Sequence, residues 1–581
     1  MFGYEFVDLD KAATVARRQS LDLYASIAQW SILPILALIQ LSFLLQWTIT
    51  KCAREAPRSP HPQPMTIGRS TWVNRTRESW TKFRWWADEP LRNGWFTRGE
   101  TMLAGVWTVW LLFLCVYQTG NVDYLHLTKR FGIVAASQLP LHYLLAMRSA
   151  YSPIQLLTRL SYERVIAVHE LLGKILTFIF ALHASFYFNF FVQKGWLSKR
   201  IRDIDVITGS ISFLMFATMS TTALSFLRHW NYRVFYTTHI LLALIVIDLL
   251  IFHVSHIRVY VFEMFSAFLL LQLLRQALTR QYSGTIDLVP GTNLVQVVIP
   301  LPTEKAARRF KPGQHVHLSR PLLGKVSLTS AFAMRYRTNP FTIASVPQKD
   351  RQILLVARAL DGNTKYLADI ARSLRSEDTS EKSIALPLTI EGPYGAAGSF
   401  PDFKEFDRVL LVAGGVGGTF TVPIYRNIVE AGREEDAVPV VRARVKFVWA
   451  VRRLAETKWA LPDHKRSTEP SLKDLELYIT RKATMEEHGG DDHQGLMEEF
   501  ELAESETFNR EDEHAKNHGW NIEQGRPSIP RLVEEAFTGS TGRVAVVTCG
   551  PQGMVAELRQ QVKKWVHKGR DVFWHAEPFG L

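Results

Sequence analysis

Four histidines carry the most specific chemical signal in the sequence: His169 and His183 in the apolar stretch 164–190, and His239 and His253 in the stretch 234–254. Both pairs are fourteen residues apart. At roughly 100° and 1.5 Å per residue, each pair falls within about 40° of one helix face and about 21 Å apart along the axis. Two such helices side by side offer two clamps at two depths, His169 with His239 and His183 with His253. A neutral imidazole can ligate haem iron in apolar surroundings where a charged ligand would be costly. A single histidine in an apolar helix is more often a packing residue, but the same interval occurs twice in segments where ionisable groups are costly. The expectation is two stacked bis-histidine haems (haem b) forming an electron path through a membrane. His142 and His256 have no partner at this spacing and read as core or interfacial histidines.

The chain has room for the elements that must position these clamps. It has 581 residues, 47% apolar, with a formal charge of +13 and a pI near 9.5. Candidate spans lie at about 29–48, 101–119, 132–149, 164–190, 207–226, 234–254 and 257–277, each near the roughly twenty residues a bilayer requires. The basic residues gather beside these runs, so positive-inside bias accounts for the charge and nucleic acid is excluded as a partner. The loop 51–98 holds ten Lys and Arg residues, which assigns it to the cytosol. Seven crossings then put the N-terminus outside and residues 278–581 in the cytosol. Arg148, Arg159, Arg228 and Arg233 agree, whereas Lys194, Lys199, Arg200 and Arg202 fall in an outer loop. The clamp of His169 and His239 lies at the cytosolic depth, that of His183 and His253 at the outer depth. Three cysteines, Cys52, Cys115 and Cys549, make no disulfide framework. No cleavable signal peptide is expected, since the run starting near Trp30 lacks a basic n-region and a small-residue cleavage pattern.

Beyond residue 280 the pattern changes to short β-like runs, such as Leu294–Ile299, His315–Leu318 and Ile353–Ala357, which suggest a small antiparallel barrel. Within it, Asn339-Pro340-Phe341-Thr342-Ile343-Ala344-Ser345 is an extended segment with an aromatic and two hydroxyls. Arg358 and the turn Asp361-Gly362-Asn363-Thr364 can hold a diphosphate. After about 400 the order is strand, glycine turn, helix, strand, which favours a doubly wound nucleotide domain. Gly414, Gly415, Gly417 and Gly418 follow the apolar strand Val409–Val412, and Cys549-Gly550-Pro551 follows Val544–Val547. Glycines there let backbone N–H groups approach a pyrophosphate at a helix N-terminus. Arg452, Arg453 and Arg526 can pair with a 2′-phosphate and select NADPH over NADH. Residues 462–520, apart from a strand-like patch at Leu475–Thr480, read as a polar insertion without chemistry.

Together these pieces resemble the ferric reductase family of fungi, within the larger group that includes the NADPH oxidases. The resemblance covers nearly everything after residue 100. It rests on Leu156-Leu157 and Ser161-Tyr162-Glu163-Arg164 ahead of His169, the histidine intervals, Lys311-Pro312-Gly313-Gln314, Pro340–Ser345, Glu391–Gly395, residues 414–418, Gly525-Arg526-Pro527, Cys549–Pro551 and Glu577–Gly580. It implies a multi-domain membrane protein: an α-helical transmembrane haem bundle, a ferredoxin-reductase-like β-barrel FAD domain and an α/β NADPH-binding domain. The expected boundaries are an N-terminal extracytoplasmic segment at 1–28, the bundle at 29–278, the flavin domain at 279–398 and the nucleotide domain at 399–581. By the same resemblance Pro340, Phe341, Thr342 and Ser345 would cradle the flavin, with Arg358 and Thr364 supporting its phosphates. Gly414, Gly415, Gly417 and Gly418 would hold the nicotinamide nucleotide, Cys549, Gly550 and Pro551 would border its reactive ring, and Phe579 would cover the flavin. Two positions depart from the family pattern: Asn339 stands where a histidine commonly precedes Pro-Phe-Thr, and Glu170 follows His169 where arginine is common.

The function implied is a metalloreductase that passes electrons from cytosolic NADPH through FAD and two haems to ferric chelates, or cupric ions, at the far side of the plasma membrane. The rival is an NADPH oxidase with oxygen as acceptor; both histidine intervals are fourteen here, whereas oxidases typically shorten the second by one. Asn74-Arg75-Thr76 matches a glycosylation acceptor but falls in the loop assigned to the cytosol. The protein is therefore expected to show no glycosidase-sensitive gel shift, and a shift abolished by Asn74→Gln would reverse the orientation.

Overall fold

The computed structural model describes residues 4–55, 70–91, 96–119, 123–149, 151–319, 338–360, 362–377, 384–395, 400–431, 444–460, 475–480, 521–538, 540 and 542–578. The chain divides into two bodies, residues 1–65 with 86–277 and residues 66–85 with 278–581.

The first body is a helical bundle. Among the described residues, six helical stretches are long and apolar enough to cross a membrane: Lys11–Leu45, Arg98–Val116, Tyr162–Gln193, Ile204–Thr222, Tyr232–His253 and Ser255–Leu278. The segment expected as a span at 132–149 is instead broken into helices Tyr124–Ser137 and Leu139–Leu145. Pro140, in the first turn of the second helix, has no N–H to continue the ladder. Gln138, fully buried at the break, donates from Nε2 to the Ala28 carbonyl at 2.8 Å. Before the first expected span, Lys11–Trp30 is helical, capped by Asp10, and buries Leu21, Tyr24, Ala25 and Ala28 in the bundle core. Arg130 is wholly buried and donates to the Leu114 carbonyl at 3.1 Å and Ser20 Oγ at 2.7 Å, with its guanidinium 4.0 Å from the centre of the Tyr24 ring.

The second body has two sheets. Six antiparallel strands run in the order Thr338–Thr342, His315–Ser319, Leu386–Tyr394, Thr279–Leu288, Leu294–Pro300, Gln352–Arg358. A bridge between Ile343 and Leu355 joins the two edges, so the barrel closes around Val316, Leu318, Phe341, Leu355 and Leu388. The other sheet is all parallel, ordered Asn521–Gln524, Leu475–Ile479, Arg444–Val451, Arg408–Gly414, Val544–Gly550, Val572–Pro578. Covered on both faces, its strands are continuous apolar runs, and all seven residues of Val544–Gly550 are buried. The expected insertion at 462–520 is thus divided by a genuine strand, Leu475–Ile479, whose Leu475 and Leu477 are buried in the core beneath.

Helix Ser70–Ala87, from the basic loop, contributes to this second body. Its Trp85 is buried in a cluster with Leu410, Val412, Val546 and Leu558, edge-on to Trp574 at 5.7 Å, with the Arg559 guanidinium 4.7 Å from its ring centre. Arg559 also donates to the Trp85 carbonyl at 3.3 Å. Truncating a buried tryptophan costs about 3–5 kcal/mol. Trp85→Ala is therefore expected to lower the thermal unfolding midpoint of the nucleotide domain and to open it to limited proteolysis; an unchanged midpoint would show that the helix only rests on the surface.

Candidate functional site

The two histidine helices meet as their spacing requires. The imidazole centres of His169 and His239 are 6.2 Å apart, those of His183 and His253 6.5 Å, with ring planes at 68° and 90°. Two imidazoles bound through one nitrogen each to opposite sides of a metal, at about 2.0 Å, would have centres about 6.3 Å apart. Three of the four rings are held at their other nitrogen. Nδ1 of His183 donates to the Thr128 carbonyl at 2.8 Å, that of His253 to Asp205 at 2.6 Å, and that of His169 to His142 at 3.0 Å. A proton fixed on Nδ1 leaves the Nε2 lone pair for iron. His239 is the exception, its Nδ1 being buried without a hydrogen bond. The residues therefore fit two haems. Among the described residues no group of three or more His, Cys, Asp or Glu could hold a bare ion.

Two glycines make this approach possible. A Cβ at Gly132 would lie 2.5 Å from His183 Cε1, and one at Gly209 2.4 Å from His253 Cε1. The imidazoles of His183 and His253 thus stand directly against the backbone of a neighbouring helix. His142, expected as an unrelated core histidine, stacks on His169 at 3.9 Å and 8°, with Gly173 below it. His256 is half-buried in the turn Ser255–Ile257, three residues past His253. Glu170 accepts from Arg228 Nη1 at 3.3 Å and pairs with Lys174 Nζ at 2.9 Å.

In the second body the two glycine turns face each other at the C-terminal ends of adjacent parallel strands, where such sheets bind nucleotides. A Cβ at Gly414 would meet Pro551 Cδ at 2.5 Å, and one at Gly550 the Gly414 nitrogen at 2.9 Å. Gly415 has φ +56 and open space around it. Gly418 opens helix Gly418–Ala431 and must be glycine, because the Trp449 ring lies 2.4 Å from where its Cβ would be. Trp449 Nε1 in turn donates to the Gly415 carbonyl at 2.9 Å, fixing the turn. Cys549 is buried in its strand, and burial, with Glu577 adding to it, pushes its thiol well above the usual value. It borders the site as a neutral thiol rather than as a nucleophile.

The barrel residues expected to cradle a flavin separate into two faces. Phe341 points into the barrel core, while Pro340 and Thr342 pair with His317 and His315 across the strands. Ser345 is buried, its hydroxyl donating to the Gln352 carbonyl and accepting from the Leu354 N–H; it pins two strands and leaves no free donor. Asn339 accepts from Asn363 Nδ2 at 2.7 Å, and Thr364 Oγ1 accepts from the Leu360 N–H at 3.1 Å, so the diphosphate turn is tied to the cradle. Phe579 lies outside the described residues.

Four arginines expected at phosphates come together. A cavity of 850 Å³ is lined by Arg358, Arg452, Arg453 and Arg526, with Glu456, Thr480 and the turn Gly291-Thr292-Asn293. Arg358 thus stands with the arginines assigned to the 2′-phosphate. Glu456 and Thr480 escaped sequence reading, Thr480 because it closes the strand inside the supposed insertion.

With this geometry in place, comparison with known families is informative. Three family models match in order: a ferric reductase like transmembrane component over residues 131–250, an FAD-binding domain over 282–398 and a ferric reductase NAD binding domain over 406–563. A probable metalloreductase AIM14 of Yarrowia lipolytica is 26% identical over 495 residues, covering 79% of this chain and 87% of that protein. Ferric reductase transmembrane component 4 of Saccharomyces cerevisiae is 25% identical over 467 residues, covering 75% of this chain and 60% of that protein. Among solved structures, a flavohemoglobin from Malassezia yamatoensis is similar at a TM-score of 0.33 and 15% identity, over 77% of this chain and 96% of that one.

A methyl group at either close glycine must displace an imidazole. Gly132→Ala is expected to lower the haem content of purified protein while bound flavin stays constant, and full haem occupancy with an unaltered low-spin spectrum would contradict the clamp at His183.

Proposed function

We propose that the chain, which matches the membrane, flavin and nicotinamide-nucleotide domain models of ferric reductases in one sequence, is an NADPH-dependent metalloreductase passing electrons through FAD and two bis-histidine haems to ferric chelates across the membrane. The observation that carries this is the pair of imidazole separations, 6.2 and 6.5 Å, at two depths of the same two helices. When bound, the nicotinamide would supply a hydride, the flavin would divide it into single electrons, and the haem irons would relay them.

The chain's own residues do the positioning. The carbonyls of His142, Thr128 and Asp205 would keep three ligand imidazoles in one tautomer. The turns at 414–418 and 549–551 offer backbone N–H groups and an uncrowded edge to a nucleotide. Arg452, Arg453 and Arg526 would take the 2′-phosphate that distinguishes NADPH from NADH.

The packing of Trp85 supports a direction of flow. It belongs to the loop before the span Arg98–Val116 and packs within the nucleotide domain, which supports the same membrane side for that loop and for residues 278–581. An even number of crossings must then lie between them. Five long helices occur there among the described residues, so the broken pair Tyr124–Leu145 would make the sixth. At about 1.5 Å per residue it is roughly 33 Å long, enough for the hydrocarbon core. This reading keeps the dehydrogenase cytosolic, His169 and His239 first in the path and His183 and His253 last.

The test is NADPH-driven reduction of a ferric chelate and of oxygen in parallel, with and without air, on wild type and His183→Ala. Ferric reduction should persist without oxygen, and the substitution should stop it while flavin is still reduced by NADPH. Iron reduction that needs oxygen, or that superoxide dismutase abolishes, would replace the metalloreductase with an oxidase.

A further inference from the structure

In the orientation proposed above, Lys194, Lys199, Arg200 and Arg202 lie in an outer loop, against the bias that gathers basic residues on the cytosolic side. The structure gives these four residues two different roles. Arg200 is half-buried and donates to the carboxylates of Asp203 and, at 2.9 Å, Asp205, so it takes both acidic residues of the segment 194–205. Lys194, Lys199 and Arg202 are exposed, and among the described residues no carboxylate pairs with any of them.

The same segment is tied to the outer histidine clamp on both sides. The carbonyl of Asp205 accepts from Nδ1 of His253 at 2.6 Å. From His183 the rings of Tyr187 and Phe191 follow at successive centre distances of 5.1 and 5.6 Å, and the Arg200 guanidinium lies 5.8 Å from the centre of Phe191. The Trp196 N–H donates to the Phe191 carbonyl at 2.9 Å, which holds the start of the loop to the same place. A clamp closed by an imidazole on each side leaves an acceptor no position on the metal, so the acceptor must be held by protein. Three exposed cations beside the clamp would hold an anion.

We propose that Lys194, Lys199 and Arg202 form the docking surface for the electron acceptor and select anionic ferric chelates, with Arg200 fixing that surface to the outer clamp. This rests on the reading of the chain as a metalloreductase with His183 and His253 last in the path. The transfer moves one electron, drawn from NADPH, onto Fe(III) to give Fe(II), and no bond forms or breaks. Exposed charges act over about 8 Å in physiological salt, so they raise the encounter rate of an anion and lower that of a cation. Basic residues that only met lipid headgroups would not separate the two.

The experiment measures anaerobic, NADPH-driven kcat/KM on the purified full chain in phosphatidylcholine nanodiscs, with ferric–EDTA as the anionic acceptor and hexaammineruthenium(III) as the cationic one. Wild type is compared with the triple variant Lys194→Gln, Lys199→Gln, Arg202→Gln, with haem spectrum, bound FAD and the rate of haem reduction by NADPH as controls. We expect the triple variant to lose about three- to tenfold in kcat/KM for ferric–EDTA, through KM, and to gain for hexaammineruthenium(III). Added salt should slow the wild type with ferric–EDTA and leave the variant nearly unchanged. An equal loss with both acceptors, or no change with either, overturns the docking surface. If wild type reduces neither acceptor without oxygen although its haem is reduced by NADPH, the metalloreductase reading fails and the docking surface with it; if wild type reduces both and the triple variant does not separate them, that reading stands and the docking surface alone is refuted.

Discussion

An imidazole in an apolar helix bundle must place both of its nitrogens, and much of the membrane body is arranged around that requirement. In His169, His183 and His253 one nitrogen is satisfied by a backbone carbonyl from a neighbouring segment, and each ring lies near its counterpart on the second helix. A carbonyl already engaged in its own helix accepts a side chain only when that side chain comes very close. Gly132 and Gly209 supply the closeness, each standing where any side chain would collide with the ring. The histidines and glycines are one device, since neither ring could reach its carbonyl past a side chain.

The nucleotide body applies the same economy to a turn. Its glycines leave backbone N–H groups accessible, and a bare turn of that kind is inherently loose. Trp449 removes the looseness from beneath: its ring forbids a side chain at Gly418, and its indole N–H ties down the Gly415 carbonyl. Mobility is thereby taken out of the turn without placing atoms where a nucleotide would lie.

The fold class, the four histidines and both glycine turns were legible in the sequence because each is a local pattern: a fourteen-residue interval, a run of small residues after an apolar strand, a block of apolar residues long enough for a bilayer. What escaped reading depends on residues far apart in the chain. Thr128 and His183 are 55 positions apart, Arg358 and Glu456 98, Ser20 and Arg130 110. No periodicity marks such pairs. The break at Gln138 was visible only as a proline in an apolar run, and the run was read as one span. His142 was set aside for want of a partner at helical spacing, yet it lies on His169 by crossing between helices. The strand Leu475–Ile479 is legible in the sequence as a strand-like patch within polar flanks, and the structure bears it out.

The docking of Trp85 has a consequence for the way the chain is made. Arg559, which covers that indole, lies 474 residues further along. At about 5–20 residues per second, the ribosome needs roughly 25–95 s to reach it after Trp85 has emerged. Throughout that interval most of the helical bundle is being inserted while an apolar indole waits in the loop without its socket. The newborn protein thus exposes the Trp85 indole for much of its own synthesis, until the residues that bury it are made.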